Sequence, residues 1–442
     1  MTAQINSITQ PALNPLAGRR TPASDAVALL HLPVFDDRSL RDAGSEFYRQ
    51  TRLGRRAVAV ISGPVDALAS HCDQLGVAAV IANPQAPALV HEPVVLIAGS
   101  VAGRDLASSA EERPLRVAIA GCGVVGGGLY LRLSGDPRFA VVSVLVRSPE
   151  RLRAPQPDPK IVTTSVSDFL AAQPDVILDC LSDGEVGLAL TQAALAAGVS
   201  VISANKQAIG KSLADLEDLA RTNGVAFAYS AAVGGGAPVI ETLLRARQHG
   251  PIARIEGVLN GTVNFLLNQL SAGADFPTAL ADARRLGFAE EDPSADLEGL
   301  DAATKITILS ALAWGAPPPL SAIQTLSDDT ALPDGPVRQI ARADARSCQV
   351  EFEAVADDTL FADLPDEWNA LRVICEDGTV FTCRGRGAGR WPTAESVWAD
   401  LLDVREAQPA RRNDRSPALV LKTRESPSSR NGLLGSPLSG TL

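Results

Sequence analysis

The chain has 442 residues, 46% of them hydrophobic, and a formal net charge of −11. That size and apolar content suffice for two or three buried cores and predict a soluble multidomain protein. The acidic balance argues against a nucleic-acid partner, which calls for clustered Lys and Arg. "MTAQINSITQPALNPLAGRR" lacks the apolar core of a signal peptide, and no uninterrupted apolar run reaches membrane-spanning length. The six cysteines form no C-x-x-C pair and read as reduced thiols of a cytoplasmic protein.

In chain order, residues 1–24 are polar and Pro/Ala-rich and are expected to lack structure. Across 25–110, apolar runs ("AVALLHL", "RRAVAVIS", "EPVVLIAG") alternate with helical stretches ("DRSLRDAGSEFYRQTRLG", "VDALASHCDQLG"), which predicts a small α/β segment. A second α/β series begins near Arg116 with strands "RVAIAG", "FAVVSVLV", "DVILDCL" and "SVISAN". It is expected to form a Rossmann-type doubly wound parallel sheet over residues 113–233 plus 385–405. Residues 234–384 change to longer helices mixed with a few strands and predict a separate α+β domain. The Ser, Pro, Gly and Arg-rich tail 406–442 is expected to be disordered.

Within the second series, "AGCGVVGGG" sets Gly121, Gly123 and Gly126 in G-x-G-x-x-G spacing around Val124 and Val125, after an apolar strand and before a helix. Such glycines permit a tight turn and let backbone N–H groups approach a pyrophosphate. The following strand ends "SVLVRSPERLR", with Arg147 where an NAD-selective site carries an acid. A guanidinium matches a 2′-phosphate, so NADP is favoured and NAD stays open. Lys206 in "SANKQAIG" stands at a strand end, where ligands of open α/β sheets bind; a plain surface lysine is the bland alternative. "AAVGGGAP" either brings backbone close to a ligand or serves as an interdomain hinge. "GVLNGTVNF" offers Asn260 and Thr262 as hydrogen-bonding groups for a small polar substrate. His31, His71, His91 and His249 show no metal-ligand spacing.

"GFAEEDPSADLEGLDAATK" holds six carboxylates before one lysine. Read as one helix, "SADLEGLDAATKITILSALAWG" places Asp301 and Lys305 one turn apart on the sector of Leu297, Ile308, Leu309 and Leu312. Charges in an apolar stripe are costly unless they pair or act. A structural ion pair is the bland reading.

"GCGVVG", "SANK", "GGGAP", "LNGTVNF", "LGFAEEDPSADLEGLDAATK" and "GRGAGRWPTAESVWADLLD", in this order, resemble homoserine dehydrogenase over about residues 113–405. The resemblance implies interconversion of aspartate 4-semialdehyde and homoserine with NAD(P)H, on the branch to threonine, isoleucine and methionine. It implies that Glu290 and Asp301 hold the substrate ammonium, Asp296 supports the pocket, and Lys206 and Lys305 contact the reacting oxygen. One of these lysines would be the proton donor, with burial and a neighbouring cation lowering its pKa. It further implies cofactor contacts from Ser203 and Asn205 in "SANK" and Gly387 in "GRGAG", residues 234–384 as the substrate and dimerisation domain of a homodimer, and a monovalent cation on the backbone carbonyls of Val233, Gly235 and Ala237.

Several features depart from that family's pattern. Ser230 replaces a Glu associated with the cation, "LDCLSDGEVG" replaces an acid with paired glycines, and the stretch from Arg342 to Leu360 is short. No regulatory ACT module is expected after Arg405. "LGRRAVAVISGPVDALASHC" resembles the start of an aspartate kinase, without the Lys and Gly-rich elements of a working one, and is expected to be structural or interfacial. A dehydrogenase of another amino-acid aldehyde and an NADP-binding pseudoenzyme are the alternative readings.

Overall fold

The computed structural model describes residues 4–8, 27–32, 45, 48, 49, 52, 56–61, 79–82, 94–98, 113–210, 212–387 and 390–407. The first sheet runs in the order β1-β2-β3-β5-β4 (Gln4–Ile8, Val27–Leu32, Arg56–Ile61, Val94–Ala98 and Ala79–Ala82). β2, β3, β5 and β4 are parallel, and β1 closes the edge antiparallel to β2. Three of these strands coincide with the apolar runs expected to be strands. β1 corrects the expectation that residues 1–24 lack structure: five residues with two isoleucines carry little pattern, and the ladder they join supplies the order. The stretch "VDALASHCDQLG" and the tail beyond residue 407 lie outside the described residues.

The second sheet is fully parallel, in the order β11-β10-β9-β6-β7-β8. Its strands are β6 (Leu115–Ala120), β7 (Phe139–Leu145), β8 (Val162–Thr163), β9 (Val176–Asp179), β10 (Ser200–Ser203) and β11 (Phe227–Ala228). Val117, Ala118, Ile119 and Ala120 are completely buried, as a central strand covered on both faces requires. Chain order reverses between β6 and β9, and the crevice at their carboxyl ends is where a doubly wound sheet takes its ligand.

The third sheet is mixed, in the order β13-β15-β14-β12-β16-β17. It comprises β12 (Ile252–Val258), β13 (Leu320–Ile323), β14 (Val337–Ala343), β15 (Cys348–Ala354), β16 (Trp368–Cys375) and β17 (Val380–Arg386). The helices Val239–His249 and Leu300–Trp314 pack on it, with Leu243, Ile306 and Leu309 joining Ile255 and Leu371 in one buried cluster. The second of these corrects the expectation of one helix from Ser294. A short turn, Ser294–Leu297, is broken off by Gly299 in the left-handed region (φ 73°). A Cβ on Gly299 would lie 2.7 Å from the Ile323 side chain, so the break is set by packing as well as by backbone freedom.

The chain crosses from the parallel sheet to the mixed one at residues 234–238 and returns after β17. The Gly236 N–H donates to the Arg386 carbonyl at 2.9 Å, so the two crossings lie side by side. The returning helix, Arg390–Ala407, packs on the helix Val124–Ser134 and on β10. Its anchor is Trp398, fully buried, edge-on to Phe139 at 5.1 Å and covered by the Arg132 guanidinium 3.9 Å from its ring centre. Trp398→Ala should therefore lower the unfolding free energy of the folded chain by about 3–5 kcal/mol, read from the urea midpoint.

Candidate functional site

The glycine loop leaves β6 and enters the helix Val124–Ser134. Gly121 has φ 88°, and a Cβ there would sit 2.6 Å from the Cys180 carbonyl oxygen. On Gly126 it would sit 1.9 Å from the Gly121 carbonyl oxygen, so neither position admits a side chain. A Cβ on Gly123 meets nothing within 4 Å, and Val124 beside it is 60% exposed. Val125 instead packs against the core beneath. The loop thus offers open space at a helix N-terminus with bare backbone around it, which fits a dinucleotide pyrophosphate.

Arg147 is exposed two residues beyond β7. Arg153, which follows Arg147 in the same basic run, is held by its own loop: its guanidinium donates to the carbonyls of Arg151 and Ser148, each at 2.7 Å. Its charge also reaches Cys122 of the glycine loop, where it opposes the upward push of burial on that thiol. A 2′-phosphate at the end of β7 would have two guanidinium groups within one loop.

Lys206 opens the short helix Lys206–Ile209 after β10. Its Nζ lies 2.7 Å from Oδ1 of Asp301, which comes from the first turn of Leu300–Trp314 in the other unit. Lys305, one turn on, places its Nζ 2.7 Å from Oδ2 of Asp301 and donates to the Leu259 carbonyl at 2.7 Å. One carboxylate therefore bridges two ammonium groups. Asn260 caps the helix Gly261–Ser271 by accepting from the Val263 N–H, and donates from Nδ2 to Asp296 at 2.7 Å and Asp301 at 3.0 Å.

Burial alone would raise the Asp301 carboxyl, but Lys305 and Lys206 outweigh it and hold it at about 2. Burial likewise works to lower Lys206, and Asp301, then Asp296 and Glu290, overcome it and raise the lysine above its ordinary value. This corrects the expectation of a lysine pKa lowered by burial and a neighbouring cation. Three acids face Lys206, so its neighbourhood favours the ammonium. Glu290, Glu291 and Glu298 are exposed at the rim.

Three expected ligand contacts are committed elsewhere. The Thr262 hydroxyl donates to the Phe288 carbonyl at 2.7 Å and pins the acidic loop. The fully buried Ser203 hydroxyl donates to Asp179 and receives the Asn205 N–H. Asn205 caps the Lys206 helix and donates to the Asp183 carbonyl. These residues shape the site from behind. Asp179, not among the expected residues, anchors Ser203 and Asn205; burial pushes it up to about 6 against the hydrogen bonds from Leu181, Ser203 and Asn205. An acid ending a fully apolar strand, "VILD", was the available signal. Gly387 is pressed on Asn369, 2.4 Å from where a Cβ would be, and its N–H donates to the Glu367 carbonyl.

For the monovalent cation, Val233, Gly235 and Ala237 are buried, and the Ala237 carbonyl already accepts the Val239 N–H at 2.8 Å. Ser230 gives its hydroxyl to Asp400. The acids beside this stretch, Glu241 and Asp400, already face the Arg52 guanidinium. This donor set does not fit a cation held by a free carboxylate. Among the described residues no group of three or more His, Cys, Asp or Glu side chains is arranged to hold a metal, and no helix is long and apolar enough to cross a membrane.

From the glycine geometry, Gly126→Ala should abolish measurable NADPH binding by fluorescence titration while the far-UV spectrum stays unchanged, since the added methyl meets backbone that cannot retreat.

Family models describe the same two units: residues 121–230 match the homoserine dehydrogenase NAD-binding domain and residues 238–402 match homoserine dehydrogenase. Homoserine dehydrogenase of Pseudomonas aeruginosa is 33% identical over 345 residues, covering 70% of this chain and 76% of its own. That of Synechocystis is 31% identical over 318 residues, covering 66% and 73%. Among solved structures, the homoserine dehydrogenase of Thiobacillus denitrificans superposes with a TM-score of 0.58 at 30% identity, covering 66% of this chain and 73% of that one. A hyperthermophilic archaeal homoserine dehydrogenase in complex with NADPH shares the fold at a TM-score of 0.60 and 24% identity, covering 67% and 99%. With the glycine loop, the two-lysine site and these relatives in agreement, the chain belongs to the homoserine dehydrogenase family.

Proposed function

We propose that this chain interconverts L-aspartate 4-semialdehyde and L-homoserine with NADP(H), on the branch to threonine, isoleucine and methionine, and that it does so as a homodimer built on the substrate domain. The observation that carries the reading is the Asp301 carboxylate bridging Lys206 and Lys305 across two folding units, beside a glycine cradle shaped for a dinucleotide.

Gly121, Gly123 and Gly126 would hold NADPH, which would supply the hydride when bound. The chain's own groups stabilise the oxygen that becomes an alkoxide and deliver its proton. Lys305 spends two of its three N–H donors on Asp301 and Leu259, which leaves one for the substrate oxygen. Lys206, 38% exposed at the mouth, has spent one on Asp301 and keeps two. Lys206 is therefore the proton donor in this proposal, and its neighbours keep it charged until the oxygen develops negative charge. In this proposal Glu290, which is exposed, and Asp296, held by Asn260, take the substrate ammonium, in place of the expected pair Glu290 and Asp301, because both oxygens of Asp301 are occupied by the two lysines. The N-terminal segment, which resembles an aspartate kinase without its phosphate elements, has a structural task in this scheme.

Mixing the protein with aspartate 4-semialdehyde should consume NADPH, read from its absorbance. Lys206→Met, Lys305→Met and Asp301→Asn should each lower kcat by about 100-fold or more while NADPH still binds. Tight NADPH binding without wild-type turnover would end the proposal and leave a different aldehyde or a binding-only role. For the cofactor, the double change Arg147→Ala and Arg153→Ala should weaken NADPH by about tenfold and leave NADH affinity unaltered, since only the former carries the 2′-phosphate.

A further inference from the structure

The four described residues of the segment between β2 and β3, Ser45, Tyr48, Arg49 and Arg52, are helical. Their spacing of i, i+3, i+4 and i+7 puts them on one face of a helix. All four are buried, from 0% exposed for Ser45 to 8% for Arg49. What they meet is the returning helix Arg390–Ala407. Arg49 pairs with Asp403 and Glu406. Ser45 receives a hydrogen bond from Arg132, which also pairs with Glu395.

Arg52 reaches furthest. Its Nη1 lies 2.6 Å from Asp400 and 3.2 Å from Glu241, and its Nη2 pairs with Asp403. Asp400 and Asp403 stand on the helix that packs on the dinucleotide unit, whereas Glu241 stands on Val239–His249, which packs on the mixed sheet of the substrate unit. The Ser230 hydroxyl, just ahead of the crossing, donates to the same Asp400 oxygen that Arg52 holds. Arg52, Glu241 and Asp400 are each at least nine-tenths buried. Without the guanidinium, two acids from different units would face each other out of water, an arrangement that drives them apart.

We propose that Arg52 is a positioning residue for the reaction: a cation delivered by the N-terminal segment that locks the dinucleotide and substrate units at the angle that places Asp301 and Lys305 against Lys206. The inference rests on the proposed function, because it assigns Arg52 a part in that same site from the far side of the crossing. The glycine loop and Lys206 belong to one unit, and Asp301, Lys305 and Asn260 to the other. Loosening the angle therefore separates the reacting groups while leaving the cofactor cradle intact, so kcat should suffer and cofactor affinity should not. A planar fork that serves three acids is something an ammonium cannot copy.

The test compares wild type, Arg52→Lys, Arg52→Ala and the milder Asp403→Asn in the full chain, since Asp403 is partly exposed and its loss should leave the fold standing. Expected are a kcat for Arg52→Lys lower by about tenfold and for Arg52→Ala by about 100-fold, with NADPH Kd within about twofold of wild type. Millimolar guanidinium should restore part of the Arg52→Ala rate, and sodium chloride at equal ionic strength should not. Folded variants with wild-type kcat, or rescue by sodium chloride alone, would overturn the proposal. If Arg52→Ala does not fold, Arg52→Lys and Asp403→Asn carry the same comparison. If wild type itself fails to turn over, the functional reading has fallen and the lock is judged by hydrogen exchange. Faster exchange across Val239–His249 in Arg52→Lys upholds it, and unchanged exchange refutes it.

Discussion

A carboxylate shared by two ammonium groups is the constraint around which this molecule is arranged. Asp301 lies in a helix of one unit, Lys206 at a strand end of another, and the 2.7 Å contact between them exists only while both units keep their places. Two positive charges close together repel, and burial removes the water that would soften the repulsion. The bridging acid makes the pair tolerable, and the pair keeps the acid ionised although it is buried. The two lysines hold Asp301 ionised, and Asp301 in turn favours the ammonium form of Lys206. Behind them, Asn260 ties Asp296 to Asp301, and Asp179, Ser203 and Asn205 fix the turn that presents Lys206.

Much of this is legible in the sequence. The apolar strands of the parallel sheet are short, continuous and bounded by turns, and the glycine spacing follows the first of them, so strand, loop and helix are specified locally. Asp301 and Lys305 stand out because a four-residue spacing on an apolar face is visible without coordinates. What stayed hidden depends on non-local contact. Nothing near Thr262 reveals that its hydroxyl will reach Phe288, and "SANK" does not show that Ser203 and Asn205 face inward toward Asp179. The helix break at Gly299 follows from the approach of Ile323, more than twenty residues further on. Arg52 is the extreme case: it reads as one of several arginines in a polar helix, and its acids lie near residues 241 and 400.

The returning helix unites these distant parts. It gives Trp398 to the core beneath the phosphate helix, acids to the N-terminal arginines, and a partner to Ser230. A chain that ended at β17 would keep every residue that touches substrate in this scheme, yet it would lose Asp400, Asp403 and Glu406, the acids that Arg49 and Arg52 meet, and retain of the described contacts Arg132 with Ser45 and Arg52 with Glu241.

The hydrogen bond from Gly236 to the Arg386 carbonyl makes the outgoing and incoming crossings a two-ply strap. The strap is thin by necessity: a methyl on Gly236 would strike Pro392, and one on Gly385 would strike Ala237. A single linker lets the parts it joins swivel about its length. Two laced plies resist torsion and yield mainly by bending across their flat side. Twisting of the dinucleotide unit against the substrate unit is thereby restrained at the crossing itself.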